Sequence, residues 1–182
     1  MSKQEPIKAI LTGGNPRSLE RTAEVVALVL GNRTRLHELY ACLLEDDEIV
    51  RMRASDALEK VCRQRPAWFQ AYVPQLLTEV ATIDQASIQW HLAQILGEVE
   101  LTPQQRAAAC RILKRNLAEK KDWIVVNYSM ETLAKLSQND GQLRTEVLVI
   151  LKGLLADPHK SIVARARKLM AALEASRPPL SH

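Results

Sequence analysis

Aromatic residues make up only 4% of this 182-residue chain, with a single Phe, and there are just six glycines. Scarce glycine beside abundant Ala, Leu, Glu, Gln, Arg and Lys favours helix nearly throughout. Scarce aromatics imply an aliphatic core, so Trp68, Trp90 and Trp123 each need their own explanation. Cysteine is also rare. Cys42, Cys62 and Cys110 are odd in number, far apart, and have no CxxC or Cys/His spacing. That excludes a disulfide framework and a structural zinc site, and reads as buried free thiols of a reducing compartment. No apolar run is long enough for a membrane span: Val25 to Leu30 and Val147 to Leu151 are soon cut off by polar residues. Met1 to Pro6 is polar, with no apolar leader segment behind it, so the expected location is cytoplasmic.

What the chain does contain is a soluble balance of 47% hydrophobic and 25% charged residues, with a net charge of +4 and a pI near 9.1. An excess that small is compatible with nucleic acid or an acidic partner and points to neither.

One pattern recurs. Val50, Ala54, Ala57, Leu58 and Val61 return as Ile88, Leu92, Ile95, Leu96 and Val99. They return again as Val125, Ser129, Thr132, Leu133 and Leu136, and finally as Ile162, Ala166, Leu169, Met170 and Leu173. The steps are 38, 37 and 37 residues, a period that belongs to stacked helical hairpins rather than one closed core.

About nine helices follow from the apolar spacing, arranged as four pairs preceded by one unpaired helix. Residues 1–14 read as an N-terminal arm, ordered in part by Ile7, Ile10 and Leu11. Asn15-Pro16 supplies an N-cap and first-turn proline for a helix running to about Leu30, with Leu19, Ala23, Val26, Ala27 and Leu30 as its apolar stripe. First-type helices are expected over 34–45, 67–81, 103–119 and 142–156. Second-type helices are expected over 47–63, 84–99, 122–137 and 159–175. Thr102 and Asp122 read as N-caps, and residues 176–182 as a tail. Residues 15–175 form a single domain in this reading, with no sheet.

The two-helix unit resembles the HEAT repeat of the armadillo-like superhelix group. The likeness rests on Asp47-Glu48-Ile49-Val50-Arg51 with Ala54, Ala57 and Leu58, on Val73-Pro74-Gln75-Leu76-Leu77 as a proline-kinked first helix, and on Ala156-Asp157-Pro158 as an inter-helix turn. It implies an all-α, right-handed α-α superhelix, with first-type helices convex and second-type helices concave. The family's Arg, here Arg51, becomes Gln89, Val126 and Val163 in later copies, and its Asp, here Asp47 and Asp122, becomes His159 in the last. A full ladder of Asp to Arg contacts between repeats is therefore not expected.

No catalytic set can be assembled, so no enzyme is expected, and no cofactor. His37-Glu38 is the one His-Glu pair, too little for a multi-ligand metal site. The alkylpurine glycosylase relatives of this fold pair Trp with Asp one helical turn on. Here Trp68, Trp90 and Trp123 are followed four residues later by Tyr72, Gln94 and Asn127. There is no Gly-rich phosphate loop and no nucleophile elbow.

The expectation is a binding scaffold for a protein or peptide partner. Met52, Trp90, Asn127 and Ala164 hold one equivalent position per repeat, flanked by Arg53, His91, Tyr128 and Arg165. Stacking would line them up as a mixed apolar and basic strip, with Trp90 as anchor and Arg53 and Tyr128 beside it. The alternative is nonspecific nucleic-acid binding through Arg111, Lys114 and Arg115, at i, i+3 and i+4 on one helix face. Charge placement separates the two: nucleic acid needs Arg53, Arg165 and that cluster on a common surface. Arg165, Arg167 and Lys168 also suit the polar cap of a terminal repeat. Trp68 and Trp123 read as structural, packed in the first turns of their helices.

Overall fold

The computed structural model describes residues 5–119 and 121–175, and among them there are ten α-helices and no strand. In chain order these are α1 (Ile7–Leu11), α2 (Thr22–Gly31), α3 (Leu36–Ala41), α4 (Glu48–Gln64) and α5 (Val73–Thr78). Then come α6 (Ala86–Glu98), α7 (Pro103–Glu119), α8 (Trp123–Leu136), α9 (Gly141–Leu154) and α10 (Lys160–Ala175). The even-numbered helices form a continuous row, α2 on α4, α4 on α6, α6 on α8 and α8 on α10. In the other row α5 packs on α7, while α7 and α9 are parted by a cleft of about 480 Å³. A closed row beside a fanned one is a curved stack whose inner side is the even row. The result is an all-α superhelix of paired helices.

Periodicity accounts for the interior. Every repeated position except Leu136, Leu169 and Met170 is buried, and those three are half-buried. Asp47 and Asp122 cap α4 and α8 through their carboxylates. Thr102 and Gln105 exchange side chain to backbone hydrogen bonds at 3.0 and 3.3 Å, a capping box that opens α7.

Within the N-terminal arm, Ile7, Ile10 and Leu11 are all buried. Residues 7–11 are a core helix, with Ile7 and Leu11 fully buried and α1 packed on α2, α3 and α4. Ile7 N–H donates to Glu38, and Arg35 donates to the Glu5 carbonyl, so α3 and the 3₁₀ turn before it anchor the segment. Glu38 of the lone His-Glu pair thus has a structural task. Residues 176–182, read as a tail, lie outside the described residues.

Asn15-Pro16 does not start a helix. Asn15 Oδ1 accepts from the N–H of Arg17, two residues on, making a turn, and Gly13 and Gly14 at φ 77° and 70° bend the chain before it. The carbonyls of Asn15 and Ser18, which a helix would use, accept from the Arg53 guanidinium instead. Helix α2 therefore begins at Thr22, and its inward side is Thr22, Val25, Val26 and Val29. Of the expected stripe only Val26 is buried; Leu19, Ala23 and Ala27 face solvent.

The first two outer helices are shorter than expected. Turns of 3₁₀ helix over Arg33–Arg35 and Cys42–Leu44 flank α3, and others over Pro66–Tyr72 and Val80–Thr82 flank α5. Pro74 does not kink a continuous helix. It stands in the first turn of α5, where its missing N–H is not needed.

Candidate partner-binding surface

The inner face is built from the exposed sides of α4, α6, α8 and α10, and it divides along the helix axes. Toward the helix N-termini, Ile49, Met52, Trp90 and Ile124 are half-buried. Toward the C-termini, charged residues dominate.

Trp90 is neither a free anchor nor a core residue. Its indole N–H donates to His91 Nε2 at 3.0 Å, and the two rings meet edge to face. His91 Nδ1 lies 2.9 Å from Ser55 Oγ, which in turn donates to the Met52 carbonyl at 2.7 Å. An indole nitrogen can only donate, so Nε2 must accept and Nδ1 carries the proton. A directed hydrogen-bond chain thus runs Trp90, His91, Ser55, Met52 across the α4–α6 seam. Burial pushes the His91 imidazole down to about 4, against the opposing pull of Asp56, so the ring is neutral at pH 7.

Arg53 is not on the surface at all. It is fully buried, and its guanidinium donates to four carbonyls: Leu11 (2.7 Å), Gly13 (2.6 Å), Asn15 (2.8 Å) and Ser18 (3.0 Å). Five N–H donors in a rigid fork fit such a carbonyl nest. Its place in the expected strip is withdrawn. His91 and Asn127 are likewise buried, Asn127 donating to Ser161 Oγ at 3.1 Å across the α8–α10 seam. Met52 and Tyr128 are half-exposed, and Arg165 pairs with Glu131.

The strip is not simply apolar and basic. Asp56, Glu59, Glu98 and Glu131 stand among its cations, paired as Lys60–Asp56, Arg63–Glu59, Lys135–Glu98 and Arg165–Glu131. Sequence inspection missed these acids, although two pairs are spaced i, i+4. Glu98 and Lys135 lie one repeat apart, 37 residues.

A second rung links α4 and α6 at the turn edge: Arg51 Nε donates to Gln85 Oε1 at 2.9 Å. Gln85 replaces the family's Asp there. Gln89, standing where Arg51 stands one repeat earlier, donates to the Ile83 carbonyl at 2.7 Å, as Arg51 does to Glu45.

The cations of the alternative site are divided. Lys114 pairs with Glu146 at 2.6 Å in the α7–α9 cleft, whose rim also carries the exposed Arg111. Arg115 turns to a different cleft and donates to the Ala81 carbonyl at 2.9 Å. Trp123 is not packed in its first turn: it is 45% exposed and stacked on His159, centroids 5.1 Å apart. Trp68 is half-buried under the Arg33 guanidinium. All three thiols are buried, and burial pushes Cys62 up to about 12, so no activated thiolate stands here.

A family model described as a HEAT repeat domain matches residues 14–173. The chain belongs to the HEAT-repeat family. HEAT repeats generally serve as scaffolds for protein interaction. No curated protein matches this chain. Among the described residues, no helix is long and apolar enough to cross a membrane.

Proposed function

We propose that this protein is a non-catalytic scaffold whose inner helical face holds a protein or peptide partner, with Trp90 as the principal contact. The single observation that carries this reading is the half-exposed indole fixed by its N–H bond to His91. A ring already held in place loses little freedom on binding, which is what an aromatic interface anchor requires. Dispersal of the cations supports a protein partner over nucleic acid: Arg53 is internal, Arg165 lies on the inner face, and Lys114 and Arg115 open into separate clefts.

Affinity capture from the native host, with and without nuclease, tests the reading. A protein retained by the wild type in both arms and lost with Trp90→Ala is the expected result. A partner that disappears on nuclease treatment, or is held equally by Trp90→Ala, contradicts it.

A further inference from the structure

His91 Nε2 has two possible partners. One is the Trp90 indole N–H, which donates to it at 3.0 Å. The other is the Asp56 carboxylate of α4, whose Oδ1 stands 3.8 Å away, beyond hydrogen-bond reach. Lys60 holds the second carboxylate oxygen, Oδ2, at 2.6 Å, so Oδ1 has no hydrogen-bond partner among the described residues.

This arrangement follows from the charge state of the ring. A neutral imidazole protonated at Nδ1 presents a lone pair at Nε2, which attracts the indole proton and offers a carboxylate nothing. A proton added at Nε2 reverses both relations. The imidazolium donates from both nitrogens, so the indole N–H then faces another donor, while Asp56 Oδ1 gains a charged one. Few other groups intervene. Among the described residues the charged groups acting on the ring are Asp56, which favours its cation, and Lys60, which opposes it, both from α4. A hydrogen bond with the Ser87 backbone of α6 also favours the cation. The outer elements place the apolar Leu43, Leu76 and Val80 beside the ring.

Resting on the scaffold reading above, we propose that His91 is the positioning residue of the Trp90 anchor and that its protonation releases the anchor. A proton taken from solvent at Nε2 breaks the indole N–H···Nε2 bond and forms an Nε2–H···Oδ1 bond to Asp56. The ring and the carboxylate need close by only about 1 Å to reach the length of a charge-assisted bond. Lys60 keeps Oδ2 throughout. Without its acceptor the indole turns freely, and the inner face loses the preset ring that lowers the entropy cost of binding. By linkage, a partner packed on Trp90 holds His91 neutral.

Nitrogen-15 NMR of the full chain, titrated from neutral pH to below the folded His91 value of about 4, tests the exchange without any partner. The Trp90 indole resonance should move together with the His91 imidazole in one transition, while the amide resonances of α10 hold still. Asp56→Asn should lower the midpoint of both signals by about one pH unit, since the imidazolium loses its charged acceptor. His91→Gln, which offers the indole a neutral acceptor, should keep the Trp90 resonance in place across the same range. A Trp90 signal that changes only with global unfolding, or a midpoint that Asp56→Asn leaves unmoved, overturns the proposal. Affinity capture with Trp90→Ala separates this from the scaffold reading. A partner lost with that variant, beside a Trp90 signal that ignores His91, removes the release mechanism and leaves the scaffold standing. A partner retained by that variant removes the scaffold reading and the anchor together.

Discussion

Trp90 and His91 are neighbours in sequence and partners in space, the indole N–H of one held 3.0 Å from Nε2 of the other. This bond fixes the tautomer of a buried imidazole and the orientation of a half-exposed ring together. Trp90→Phe keeps an aromatic ring but leaves Nε2 without its donor. The expected loss of stability is about 1 to 3 kcal/mol, the cost of an unsatisfied buried acceptor. Urea titration of the two proteins gives this difference directly; no loss would show that the bond does not hold the ring.

His91 also makes stability depend on pH. Unfolded, it takes up its proton near 6.5; folded, burial delays uptake until about 4. Between these values the unfolded chain binds more protons, so stability declines as pH falls through that window. Above 6.5 the contribution is complete. Its full size is about 3 kcal/mol, from the separation of the two values. Unfolding midpoints followed across the window should slope more steeply for wild type than for His91→Gln. Parallel slopes would mean that the imidazole is not buried neutral.

Arg53 closes the N-terminal end of the array. Arg53→Ala should cost at least about 3 kcal/mol, because four carbonyl acceptors lose a charged donor. Arg53→Lys should recover only part, since one ammonium cannot span four carbonyls. Hydrogen exchange should speed up over residues 7–31 first, before the rest of the array responds. Uniform acceleration along the chain would contradict a local staple.

Leu96 and Leu133 occupy one repeated position and Leu173 the next inward one, all of them buried. Leu96→Ala and Leu133→Ala should each cost about 2 to 5 kcal/mol. Leu173→Ala should cost less, because among the described residues α10 packs chiefly on α8 and α9, both from the N-terminal side of the array. Equal costs at the three sites, measured by chemical denaturation, would argue against a linear array.

Much of the fold is legible in the sequence because α4, α7 and α8 carry long periodic stripes with recognisable caps, and α6 and α10 carry the stripe alone. The N-terminal quarter is not. There the deciding partner of residues 11–18 is Arg53, some 35 to 42 positions downstream, and no local signal announces it. Charge type alone marks Arg53 as a surface residue, whereas its geometry is set by the carbonyls that surround it. Helical phase puts Trp90 on nearly the opposite side from Ile88, Leu92, Ile95 and Leu96, whereas the ring is half-buried against His91. Its tie to His91 depends on a side-chain orientation that spacing does not encode. The acidic members of the inner face escape notice when each is taken singly; Asp56 and Glu59 are visible in the sequence as i, i+4 pairs and Glu98 as a one-period pair with Lys135.

Occupation of the inner face by the partner is tested most directly by site-specific photocrosslinking, which works before the partner has been identified. A benzophenone amino acid is placed at Gln94, half-exposed on α6 beside the charged residues of the inner face, or at Val149, 69% exposed on α9 of the outer row. Irradiation in the native host should yield a discrete crosslinked protein from position 94, absent from position 149 and lost when Trp90→Ala is added. A crosslink from position 149 alone, or one from position 94 that persists with Trp90→Ala, would contradict the account.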